Sequence, residues 1–238
     1  MKKIIVAAAL FLAAFSANAQ EAKKGDFNIG ITAGAGLSTM RFDDPYDLYD
    51  PEPIANIQGG FVFDYSFIDN LFLEIAGTYQ RKGYKKDRTD FEKDDCFEID
   101  NETKTSIHYV AFPVTLNYRI NLGKIGLIPQ LGPYFAIGVA GNVKTNYKLD
   151  LEDANYQKIA EDMLDDLREK APKNNIFDNE NNKRFDFGMR FGLGLAFSSK
   201  AKFTVGYDLG LLDLCRTEGV DNKSQHSTFF GAFTYYFK

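Results

Sequence analysis

Large apolar residues alternate with small or polar ones through most of the chain. In "RFDFGMRFGLGLAF" (184–197), one set is Phe185, Phe187, Met189, Phe191, Leu193, Leu195 and Phe197. The intervening set is Asp186, Gly188, Arg190, Gly192, Gly194 and Ala196. A period of two is the signature of a β-strand with one greasy and one slim face. The same pattern predicts eight strands, at 27–40, 54–68, 71–84, 105–121, 125–143, 185–198, 202–215 and 225–237. Each reaches the ~9–11 residues that a tilted strand needs to cross a bilayer.

The connections alternate in length. Asp69-Asn70, Leu122-Gly123-Lys124 and Ser199-Lys200-Ala201 are tight turns, whereas 41–53, 85–104, 144–184 and 216–224 are longer polar segments. Short turns at one rim and long loops at the other predict an eight-stranded antiparallel transmembrane β-barrel. Both termini then share the short-turn rim, and the long loops face outside the cell. Because the slim face carries few charges, it suits a narrow lumen better than water. The large face then meets lipid, with Phe112, Leu116, Phe187, Phe191, Leu195, Phe233 and Tyr235 outward and Thr115, Gly188, Gly192 and Thr234 inward. Within the third long loop, Tyr156, Ile159, Ala160, Met163, Leu164 and Leu167 recur at helical spacing, which predicts a short helix near 155–170.

The first residues bear on compartment. Lys2 and Lys3 precede an apolar run from Ile4 to Phe15, with Ala17 and Ala19 at the exit. This predicts a secretory signal peptide over 1–19 and a barrel domain over 20–238, destined for the outer membrane of a Gram-negative bacterium. Gln20 rather than Cys follows the cut, so no lipoprotein anchor is expected. The 22 Phe and 13 Tyr, without Trp, supply the aromatic girdles such a barrel uses. A net charge of −5 and the absence of a Lys/Arg-rich run argue against a nucleic-acid partner.

"YVAFPVTLNYRI" (109–120), followed by "GLIPQLGPYFAIGVAG" (126–141), resembles the PorT-like outer-membrane β-barrel family of Bacteroidota. "FDFGMRFGLGLAF" and "YDLGLLDL" are similar to its later strands. The resemblance implies a barrel inserted by the barrel assembly machinery, without an assigned substrate or catalytic set.

Candidate chemistry is sparse. His108 and His226 are expected near the outer rim, and His226-Ser227 is the nearest approach to a lipid-modifying site; adjacency alone builds no triad. No catalytic residue, metal site or cofactor is therefore expected. Acidic residues crowd 85–103 (Asp87, Asp90, Glu92, Asp94, Asp95, Glu98, Asp100, Glu102) and read as solvated loop carboxylates. Cys96 and Cys215 both fall in the outer half, where a disulfide is chemically allowed, and bridged and free states stay open. The slim face itself carries Asp64, Glu74, Arg119, Arg190 and Asp208. Turn counting predicts two lumenal ion-pair groups, Asp64–Glu74–Arg119 and Arg190–Asp208. The functional expectation is a monomeric, non-enzymatic surface binding or assembly module. It would be embedded in outer-membrane lipid and use its loops for an extracellular or envelope protein partner. A small channel for ions or solutes is the alternative, and a lipid-modifying barrel enzyme the third class.

Overall fold

In the computed structural model, which describes residues 23–42, 51–93, 97–151, 157–170, 176–177, 183–214 and 224–237, the alternating stretches join one closed sheet. Its strands are β1 (Phe27–Phe42), β2 (Glu52–Ile68), β3 (Leu71–Lys93), β4 (Phe97–Tyr118), β5 (Ile120–Leu122), β6 (Ile125–Leu151), β7 (Phe185–Ala196), β8 (Ala201–Gly210) and β9 (Ser224–Tyr236). β4 and β5 are a single strand interrupted at Arg119, whose N–H donates to Asn70 O at 2.8 Å. Counted so, the sheet is a ring of eight antiparallel strands, closed where β1 pairs with β9. Closure leaves no edge in the barrel wall, which is what a strand protein needs in lipid. The tight turns fit their residues: Asn70 (φ 63°) and Gly123 (φ 68°) adopt the left-handed conformation those residue types tolerate.

The two faces separate as alternation dictates. Phe112, Leu116, Phe191 and Leu195 are exposed on the outer surface. Phe187, Phe233 and Tyr235 lie on the same surface, half-covered by neighbours such as Phe135, whose ring centroid is 5.3 Å from that of Phe187. Thr115, Gly188 and Thr234 are buried inside. The lumen also takes large side chains, although the face that lines it is slim over much of its length. Phe72, Tyr109, Ile128, Tyr134, Phe230 and Tyr236 all point inward and are buried. Glycines on neighbouring strands make the space. A Cβ at Gly188 would lie 2.6 Å from the Tyr134 ring, and one at Gly206 would lie 2.5 Å from the Phe230 ring.

The segments 85–93, 97–104 and 144–151, read as loop from their charge, are strands. β3, β4 and β6 hold 23, 22 and 27 residues, against 12, 10 and 13 in β7, β8 and β9. They run about ten residues past what a crossing needs, or roughly 30 Å of strand. Cross-strand pairing continues to Lys93↔Phe97 and Phe97↔Leu151. Polar residues tolerate this because beyond the bilayer the outer face of the sheet is wet. At the base of the extension β6 bulges at Val139, and the register steps from Tyr109↔Gly138 to His108↔Ala140. The extra residue reverses the parity of β6, so odd positions now share the lumenal side. Tyr147, Leu149 and Leu151 therefore join Ile99 in an apolar strip. Helix α1 (Gln157–Lys170) packs Ala160, Met163, Leu164 and Leu167 against that strip. The helix anticipated near 155–170 is thus docked on the extension.

Candidate functional site

The lumen collects most of the buried charge. Strand parity aims even positions of β2, β3, β7 and β8 and odd positions of β4 inward. This brings together Asp64, Glu74 and Lys82, Arg119, Asp186 and Arg190, and Lys202 and Asp208. Among the described residues that is four carboxylates against four cations. Unpaired charge at this depth would be costly, so balance and pairing are the expected arrangement.

Two clusters divide the lumen. In the half nearer the short turns, Arg190 grips Asp208 with a fork of two bonds, Nε to Oδ1 at 2.6 Å and Nη2 to Oδ2 at 2.7 Å. The guanidinium also stands 4.5 Å from the Phe230 ring centroid. Asp64 and Glu74 are direct cross-strand partners. Lys202 Nζ donates to Glu74 Oε2, and the Tyr236 hydroxyl donates to the same oxygen at 3.3 Å. Arg119 lines a recess of ≈ 770 Å³ at the short-turn mouth together with Asp64, Lys202 and Tyr236. The residues singled out from sequence therefore lie in this half. Lys202, the ion-pair partner of Glu74, was missed, although it shares its strand face with Asp208.

In the half nearer the long loops, Lys82 Nζ donates to Asp186 Oδ2 at 3.1 Å, and both side chains are fully buried. The Tyr134 hydroxyl donates to the same carboxylate at 3.3 Å, while Lys82 Nζ sits 4.3 Å from the Tyr134 ring centroid. Tyr109 Oη and His226 Nε2 are 3.2 Å apart. Sequence reasoning missed this cluster as well. Its signal was the even position of Lys82 on β3, eight residues after Glu74 and in phase with it. Above it, Phe177 packs on Ile107, Tyr109 and Tyr134. It fills the space over Gly138, where a Cβ would fall 2.3 Å from the ring. The third long loop thus sends an aromatic plug into the barrel mouth.

The histidines do not meet. His226 is buried in the lumen, whereas His108 stacks on exposed Tyr79 outside the wall, ring centroids 5.8 Å apart. Ser227 follows His226 and so takes the opposite face of β9, which leaves no His–Ser dyad. Among the described residues no group of three His, Cys, Asp or Glu is placed to hold a metal ion. Cys96 and Cys215 lie outside the described residues.

The sequence model for the outer membrane protein beta-barrel domain matches residues 18–216. The chain belongs to that family. As an outer membrane barrel of this family, it resides in the outer membrane of Gram-negative bacteria. Among solved structures it is similar to Ail, the attachment invasion locus protein of Yersinia pestis, at 13% identity and a TM-score of 0.37 over 90% of this chain and 99% of that one. Neisserial surface protein A gives 12% identity and 0.41 over 87% and 96%. OprG of Pseudomonas aeruginosa gives 14% and 0.38 over 92% and 99%. No curated protein matches the sequence.

For this outer membrane barrel the geometry sets chemical limits. Glu74, Asp186 and Asp208 are each held by a cation, and the tyrosines around them donate to carboxylates or face His226. The arrangement cross-links the wall and fills the bore.

Proposed function

We propose that the protein is a non-enzymatic surface binding or assembly module, monomeric and inserted by the barrel assembly machinery. Its long loops are extracellular and its termini periplasmic. Within the outer-membrane barrels we place it in the PorT-like branch that its strands resemble, with residues 1–19 as a cleaved leader and 20–238 as the mature barrel. N-terminal sequencing of the membrane-inserted protein should begin at Gln20.

One observation carries the reading: among the described residues the wall extends farthest past the bilayer on β3, β4 and β6, and α1 is docked on that extension. A transmembrane barrel needs no such feature to fold. A platform raised above the membrane on one side suits contact with another macromolecule. The channel reading is disfavoured by the paired charges and by Phe177 in the bore.

Photo-crosslinkers placed at Asp100 or Glu161 on intact cells test this reading. Discrete adducts that vanish when 157–170 is replaced by a Gly/Ser linker are expected. Absence of adducts at both positions, with adducts at lipid-facing Phe112, would overturn it.

A further inference from the structure

Strand register sets Lys85, Lys104 and Lys144 side by side across β3, β4 and β6. Like charges directly opposite on neighbouring strands repel. The carboxylates in reach do not relieve this evenly. Glu52, Asp87 and Glu102 all converge on Lys85, at 3.4, 3.0 and 3.1 Å. These partners, Asp87 first, push the Lys85 pKa up. Lys104 and Lys144 are exposed and make no ion pair among the described residues. In a chain of net charge −5, two directly opposed lysines without an ion pair among the described residues are unusual.

Their place on the wall indicates what neutralises them. Both point outward, on the face that becomes the lipid-facing belt nearer the short turns. The belt's upper edge on these strands is apolar, with Tyr79, Val110, Ile137 and Val139 exposed. Arg81 and His108 come next as cross-strand partners, and the lysine row follows. From Val110 to Lys104 is six residues, about 20 Å of strand and roughly 14 Å of height at a 45° tilt. A headgroup layer is only about 6 Å deep. A simple phospholipid phosphate can therefore reach Arg81 and His108 but falls short of the lysines.

We propose that this outward strip, Arg81 and His108 below Lys104 and Lys144, binds an anionic glycolipid of the outer leaflet. Its acidic groups are carried on sugars standing above the acyl chains. The apolar edge takes the acyl chains, Arg81 takes the lowest phosphate, and the lysine pair takes the higher sugar-borne phosphates or carboxylates. Neutralisation by that lipid removes the Lys104–Lys144 repulsion at the base of the extension. The inference rests on the outward orientation of the long loops, not on any loop-borne partner.

The test uses full-length protein in phosphatidylcholine nanodiscs, titrated with fluorescent rough-type lipopolysaccharide bearing a phosphorylated core. Lys104→Gln and Lys144→Gln should each weaken binding about fivefold, the effect of one basic residue near an anionic surface. In phosphatidylcholine alone, both variants should unfold no earlier than wild type, since each relieves repulsion. Lys148→Gln, opposite Asp100, serves as the control and should bind like wild type. Equal affinity of the Lys104 and Lys144 variants and wild type would overturn the proposal. So would equal binding of phosphatidylglycerol, or full competition by soluble polyphosphate, which would mark a general polyanion surface.

Discussion

Replacing Asp208 with Ala strands Arg190 in the lumen, where its side chain is 8% exposed. Breaking a buried pair from one side typically costs ~3–5 kcal/mol. Asp208→Ala should therefore lower the urea midpoint of the folded barrel clearly, and Arg190→Ala should do the same. An unchanged midpoint in both would mean that the fork contributes nothing to the wall. Gly188 makes a second test at this scale. A methyl there would press into the Tyr134 ring and the Leu209 carbonyl, 2.6 and 2.1 Å away. Gly188→Ala should cost about 1–3 kcal/mol by overpacking, whereas Gly59→Ala, which meets only Thr32 O at 3.4 Å, should be nearly silent. Parity made the faces legible at this scale: Asp64, Glu74, Arg119, Arg190 and Asp208 could all be assigned to the slim side. Lys82, Asp186 and Lys202 obey the same parity. Lysine reads by habit as a surface residue, and only the three-dimensional ring brings Lys202 of β8 against Glu74 of β3.

The extension is where charge misled the reading of elements. Residues 85–104 hold so many Asp, Glu and Lys that they look like loop, yet the backbone of 85–93 and 97–104 continues the β3–β4 ladder. The weaker signal was the odd-position series Thr103, Thr105 and Ile107 on β4 and Val143, Thr145, Tyr147 and Leu149 on β6. The second series changes phase relative to 126–138 because of the bulge at Val139, which no period-two count anticipates. Helix α1, by contrast, was visible from its apolar spacing, and its partner surface was not. Leu164→Asp would place a charge against Ile99 and the β6 strip, so it should release α1. Limited proteolysis should then cut within 157–170 far faster than in wild type, while the barrel keeps its resistance to urea. Equal cleavage of variant and wild type would mean that the helix is not docked.

At the scale of the whole molecule, eight strands enclose a bore just wide enough for side chains to fill. Here it holds two ionic clusters, the rings of Tyr109, Tyr134, Phe230 and Tyr236, and Phe177 at the long-loop mouth. The alternation of strands and the lengths of the turns foretold the ring and its membrane location. How completely the bore is closed depended on contacts between strands far apart in sequence. On this reading the barrel works from its surface and passes nothing through its middle. Purified, folded protein in planar bilayers measures this directly. Wild type should give a silent baseline, without stepwise current at any holding potential the bilayer withstands. Reproducible single-channel steps from wild type, abolished by adding bulk at Gly138 or Gly192 in the bore, would contradict the claim.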